Sequence, residues 1–104
     1  MKIKVQTIEH NKTQISYTQS SNSFLLTSDS VLLADFIDLP HNRNRVILDV
    51  GTGQGLIPLL LSTKINNKIY GIEVQKELVK IAKLNNHNNN LSRQIEIIED
   101  KFQN

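Results

Sequence analysis

The 104-residue chain has no cysteine and no tryptophan, two prolines and four glycines. The lack of cysteine excludes a disulfide framework and a thiolate metal site. No apolar stretch approaches the roughly 20 residues that a membrane-spanning helix needs. The opening Met1-Lys-Ile-Lys-Val5 alternates polar and apolar residues where a secretory signal would carry an apolar core, so a cytoplasmic location is expected. Apolar residues make up only 38%, the formal charge is +2, and no block of like charges forms a nucleic-acid arm. Charge therefore permits RNA binding without indicating it. The length allows one domain at most, of a size that buries about two-thirds of its unfolded surface.

What is present is concentrated. Three of the four glycines fall within five residues, in the run Val46-Ile-Leu-Asp-Val-Gly-Thr-Gly-Gln-Gly-Leu56. An apolar strand ends at Asp49 and Val50, the chain turns through Gly51, Gly53 and Gly55, and a second apolar run begins at Leu56. Glycine permits the positive φ and the close ligand approach that a strand-to-helix cofactor loop needs. The start of the helix leaves backbone N–H groups free, so the turn is expected to hold a polar or anionic group. A dinucleotide fold would require Gly-x-Gly-x-x-Gly, with a glycine where this chain has Leu56. The pattern here is Asp-x-Gly-x-Gly-x-Gly.

Around this loop the periodicity predicts an α/β chain. Residues 2–8 and 13–18 alternate as strands joined by a turn at 9–12. A helix capped by Thr27 or Ser28, with Asp29 in its first turn, runs to about Asp38 and is stopped by Pro40. Residues 45–50 read as a strand apolar on both faces, 55–63 as a helix with Pro58 in its first turn, and 68–73 as a second parallel strand. Residues 76–86 carry Leu78, Ile81, Ala82 and Asn85 at helical spacing, a one-faced amphipathic helix, and 94–99 form the third strand. The expected fold is a partial Rossmann-like, doubly wound sheet of three parallel strands with helices, preceded by a β-hairpin and a helix. It divides into a hairpin extension at 1–23 and a helix plus βαβαβ unit at 24–104.

Two carboxylates stand at strand ends. Glu73 closes the second strand at the distance past the loop where doubly wound folds place an acid on ribose hydroxyls, and two vicinal hydroxyls suit a bidentate acceptor. Asp100 follows the third strand on the same carboxyl edge, where ligands of open α/β sheets gather. Asp49 is expected to tune the loop or reach a cofactor through water. His10, His41 and His87 share no metal-ligand spacing and read as solvated surface residues, and no metal is expected. Arg43 and Arg45 make no basic block, Lys76, Lys80 and Lys83 form a solvated helix face, and the asparagines from Asn85 to Asn90 are assigned no chemistry.

The Asp-x-Gly-x-Gly-x-Gly loop resembles motif I of the Rossmann-like S-adenosylmethionine-dependent methyltransferases. Three runs narrow the resemblance: Phe24-Leu-Leu-Thr-Ser-Asp-Ser-Val-Leu-Leu-Ala-Asp-Phe36, Ile47-Leu-Asp-Val-Gly-Thr-Gly-Gln-Gly-Leu-Ile-Pro-Leu59 and Tyr70-Gly-Ile-Glu-Val-Gln-Lys-Glu-Leu78. Together they are similar to the bacterial adenine methyltransferases that modify the exocyclic amine of an anticodon-loop adenosine in valine tRNA. The resemblance implies S-adenosyl-L-methionine as cofactor and tRNA as partner. It assigns Asp49, Gly51, Gly53 and Gly55 to the cofactor loop, Glu73 to ribose, Asp100 to the adenine amine, and Thr27 and Asp29 to the methionine end. Those enzymes also carry an Asn-Pro-Pro-aromatic motif that holds the target amine and stacks on the flipped base. No such motif occurs in these 104 residues, so no catalytic residue is assigned and a truncated or split gene product is expected. The competing expectation is a non-catalytic remnant or interaction subunit that pairs with a companion chain to complete the sheet.

Overall fold

The computed structural model describes residues 3–20 and 44–100. β1 (Ile3–His10) and β2 (Thr13–Ser20) form an antiparallel hairpin in which His10 pairs with Thr13 and Ile3 with Ser20. The turn is tighter than the expected 9–12. It consists of Asn11 and Lys12 alone, with φ of 49° and 64°. Successive positive φ values mark a two-residue turn of the I′ type, whose twist matches that of the flanking strands, and asparagine tolerates the left-handed region best after glycine.

Then come β3 (Ile47–Val50), α1 (Leu56–Ser62), β4 (Ile69–Glu73), α2 (Lys76–Asn88) and β5 (Ile95–Glu99). The three strands are parallel in the order β3-β4-β5, with Ile47 beside Ile69 and Ile69 beside Ile95. This is the half-sheet with preceding hairpin that the sequence predicts. The helix expected from about Thr27 to Asp38, with Thr27 and Asp29, lies outside the described residues.

The core joins the two sheets through the helices. Ile15 and Tyr17 of the hairpin cluster with Leu56, Leu59 and Leu60 of α1, Ile69 of β4, Val79 and Ala82 of α2, and Ile95 and Ile97 of β5. α2 is one-faced as expected: Val79, Ile81, Ala82, Asn85 and Asn86 share its buried side, while Leu78 is only half-buried. That broad face packs against both β5 and β2. The expectation that β3 is covered on both faces is corrected among the described residues. Leu48 is 61% and Val50 77% exposed, because the core residues Ile69, Ile95 and Ile97 lie on the opposite face of the sheet and no described helix covers this one.

The asparagines after Lys83 are structural. Asn85, fully buried, accepts from the Thr18 N–H at 2.7 Å and donates to the Thr18 carbonyl at 2.9 Å. Asn89 repeats the pattern one turn on, accepting from the Ser16 N–H at 2.9 Å and donating to its carbonyl at 2.8 Å. Side chains four residues apart on a helix are separated by about 6 Å along its axis. Alternate residues of a strand are about 6.8 Å apart. The two asparagines therefore stand in for a neighbouring strand along the edge of β2 away from β1. His10, expected to be solvated, is buried at the hairpin end.

Candidate functional site

The glycine loop hangs from the adjoining strand. The N–H groups of Gly51 and Thr52 both donate to the Ile72 carbonyl, at 2.8 and 3.0 Å, and the Gly55 N–H donates to the Thr52 carbonyl at 3.0 Å. The Gly53 N–H donates to Glu73 Oε1 at 2.9 Å, while Glu73 Oε2 accepts from the Gln75 N–H at 2.9 Å. Four loop amides are thus engaged within the protein, so the N–H groups expected to be free for a polar or anionic group narrow to those at the start of α1. The cause is Glu73, a buried carboxylate that satisfies the loop from the end of β4. Each of its oxygens keeps a second lone pair, so it remains an acceptor for hydroxyl donors.

The three glycines differ in what surrounds them. Gly51 and Gly53 have φ of 74° and 60°, and a Cβ at either would meet no protein atom within 4 Å. They keep space open. Gly55, at φ 84°, would place a Cβ 3.3 Å from that of Ala82, so it faces the α1–α2 packing and does not line the cavity. Gly71, in the middle of β4, would bring a Cβ within 2.9 Å of Thr52, which is pressed against the sheet there.

A cavity of about 250 Å³ lies over this loop, lined by Tyr17, Asp49, Gly51, Thr52, Gly53, Gln54, Leu56 and Ile57. Asp49 accepts from the Thr52 hydroxyl at 2.8 Å. Burial raises the Asp49 carboxyl above its ordinary range, and the Thr52 hydrogen bond offsets part of that rise. Glu73 and Asp100 do not line the cavity. Glu73 reaches it through Gly53, and Asp100, half-buried, donates its N–H to the Glu73 carbonyl at 2.9 Å. Asp49, Glu73 and Asp100 therefore sit at the carboxyl ends of three adjacent parallel strands, Asp49 inside the hollow and the other two beside it.

Tyr17, Thr52 and Gln54 were not singled out from the sequence. The Gln54 amide donates to the Tyr17 hydroxyl at 3.3 Å, and Asn85 donates to the Gln54 carbonyl at 2.9 Å, tying the hairpin to the loop. The strand alternation of Ile15, Tyr17 and Gln19 marks a buried face, but nothing local says that it meets the glycine loop. Among the described residues no group of three His, Cys, Asp or Glu is placed to hold a metal, and no helix is long and apolar enough to cross a membrane.

The tRNA1(Val) (adenine(37)-N6)-methyltransferase of Haemophilus influenzae (strain PittEE) is 32% identical to this chain over 92 residues, which cover 86% of this chain and 39% of that protein. The chain thus spans well under half of that relative's length. Among solved structures, the hMettl16 catalytic domain in complex with the MAT2A 3'UTR hairpin 6 superposes with a TM-score of 0.74 at 26% identity, covering 85% of this chain and 33% of that one. An RNA methyltransferase from Salinibacter ruber in complex with S-adenosyl-L-homocysteine matches with a TM-score of 0.54 at 25% identity, covering 69% of this chain and 44% of that one. The methyltransferase small domain matches residues 26–104, and the chain belongs to that family of Rossmann-like, S-adenosylmethionine-dependent methyltransferases.

Proposed function

We propose that these residues form the S-adenosylmethionine-binding portion of an adenine-specific methyltransferase that acts on RNA, with tRNA as the substrate class. One observation carries the cofactor reading: the amides of Gly51, Thr52, Gly53 and Gly55 are all engaged, yet Gly51 and Gly53 hold open space. A pyrophosphate needs free loop N–H groups. A cofactor without phosphates needs only the room. In this reading Asp49, Gly51 and Gly53 border the cofactor, Gly55 sets the loop against α2, Glu73 receives the ribose hydroxyls and Asp100 the adenine amine. Thr27 and Asp29 belong to the methionine end by resemblance alone. The bound cofactor supplies a sulfonium methyl for in-line transfer to a nucleophilic amine, and the chain's contribution is orientation. The RNA and adenine assignments rest on what the relatives are named for.

Calorimetric titration with S-adenosylhomocysteine tests this. The wild-type chain gives saturable heat, and Gly53→Val, which puts a branched side chain at φ 60° into the open space, abolishes it. Equal heats from both proteins, or saturation by a nicotinamide dinucleotide in place of S-adenosylhomocysteine, overturn the reading. A second reading, a subunit that pairs with a companion chain, draws on the exposed Leu48 and Val50 of β3. Co-sedimentation with a separately produced chain that carries the Asn-Pro-Pro-aromatic motif tests it, and two independently sedimenting species argue against pairing.

A further inference from the structure

The cavity has a wall that the family's loop motif does not supply. Tyr17 comes from the hairpin, is 1% exposed, and lines the same hollow as Asp49, Gly51 and Gly53. Its position is held on both sides. Asn89 grips the backbone of Ser16 and Asn85 that of Thr18, while Gln54 donates to the Tyr17 hydroxyl. A hydroxyl that accepts one hydrogen bond still has its own proton to donate. Burial pushes the phenol up to about 12, so it carries that proton throughout the ordinary pH range.

We propose that the Tyr17 hydroxyl is a cofactor contact which donates to the α-carboxylate at the amino-acid end of the cofactor. The proposal rests on the cofactor reading above. Glu73 and Asp100 lie outside the cavity and take the adenosine end, which leaves the amino-acid end for the hollow. That end carries an ammonium and a carboxylate, and the lining offers a carboxylate, Asp49, and a phenolic donor, Tyr17. Among the described residues the lining holds no lysine, arginine or histidine, and Tyr17 is the phenolic donor there. The hairpin thereby becomes part of the binding site, and Gln54 and the two asparagines act as positioning residues for it.

Calorimetry with two ligands tests the pairing: S-adenosylhomocysteine, and its decarboxylated analogue in which hydrogen replaces the α-carboxylate. Tyr17→Phe removes the hydroxyl alone. The expected result is that the wild-type chain binds the analogue at least about tenfold more weakly than S-adenosylhomocysteine, that Tyr17→Phe weakens S-adenosylhomocysteine by a similar factor, and that it leaves the analogue unchanged, as hydrogen bonds to charged groups of this kind predict. Unchanged S-adenosylhomocysteine affinity in Tyr17→Phe overturns the proposal, and so does an equal loss for both ligands, which marks a structural role. If the variant does not fold, equal binding of both ligands by the wild-type chain still overturns it. Absence of any S-adenosylhomocysteine heat from the wild-type chain instead defeats the cofactor reading itself.

Discussion

Asn85 shows how much one side chain decides here. Its amide serves three backbone groups, the Thr18 N–H, the Thr18 carbonyl and the Gln54 carbonyl, with no exposure to water. Buried polar groups left without partners each cost about 1–3 kcal/mol, so Asn85→Ala is expected to lower stability by about 3 kcal/mol in urea unfolding. Asn89→Ala, at a half-buried site, should cost nearer 1 kcal/mol. Two ionisable residues give pH signatures. The Asp49 carboxyl is raised by burial, so the folded state holds its proton more tightly than the unfolded chain. That stability is present at low pH and is lost as pH rises through the folded value. Asp49→Asn should therefore be more stable than the wild-type chain at neutral pH, and thermal melts should show the gap closing below about pH 4. Tyr17 follows the same sign at the alkaline end: its stabilisation is intact below 10.0 and is lost as the pH rises toward about 12, a loss that Tyr17→Phe should not show.

At the scale of elements, β4 and α2 position the loop. β4 supplies the Ile72 carbonyl and the Glu73 carboxylate that hold its amides, and Gly71 makes room for Thr52. A methyl group added at Gly71 would lie 2.9 Å from Thr52 Cγ2 and Oγ1 and 3.0 Å from Ile97 Cδ1. Gly71→Ala should destabilise the chain by about 1–3 kcal/mol through overpacking, and should weaken cofactor binding as well because Thr52 carries the hydrogen bond to Asp49. Denaturation and S-adenosylhomocysteine titration of the same sample check both effects. α2 holds both β5 and β2 from its buried side, through Asn86 donating to the Ile95 carbonyl and through Asn85 and Asn89.

At the scale of the whole molecule, two separate sheets share one core, with α2 packed against both. Hydrogen exchange should report this directly. In the wild-type chain the amides of Ser16 and Thr18 are protected with the core, whereas in Asn85→Ala they should exchange through local opening while those of Ile72 and Ile97 stay slow. Bound S-adenosylhomocysteine should raise that protection in the hairpin if Tyr17 contacts it, since a ligand stabilises every element it needs in place.

The alternation of strand and helix could be read directly, because apolar runs such as 47–50 and 95–99 and the Asp-x-Gly-x-Gly-x-Gly turn are local signals of period and backbone freedom. Glu73 and Asp100 could be placed at strand ends for the same reason. Chain order alone was silent on matters that depend on residues far apart: Gly53 and Glu73 are 20 positions apart, and Thr18 and Asn85 are 67. Whether an amide is free or engaged, whether an asparagine is solvated or replaces a strand, and whether a hairpin tyrosine lines the cavity over the loop are questions of proximity. Local propensity carries no information about proximity, so those answers came only from packing the hairpin, the helix and the loop together.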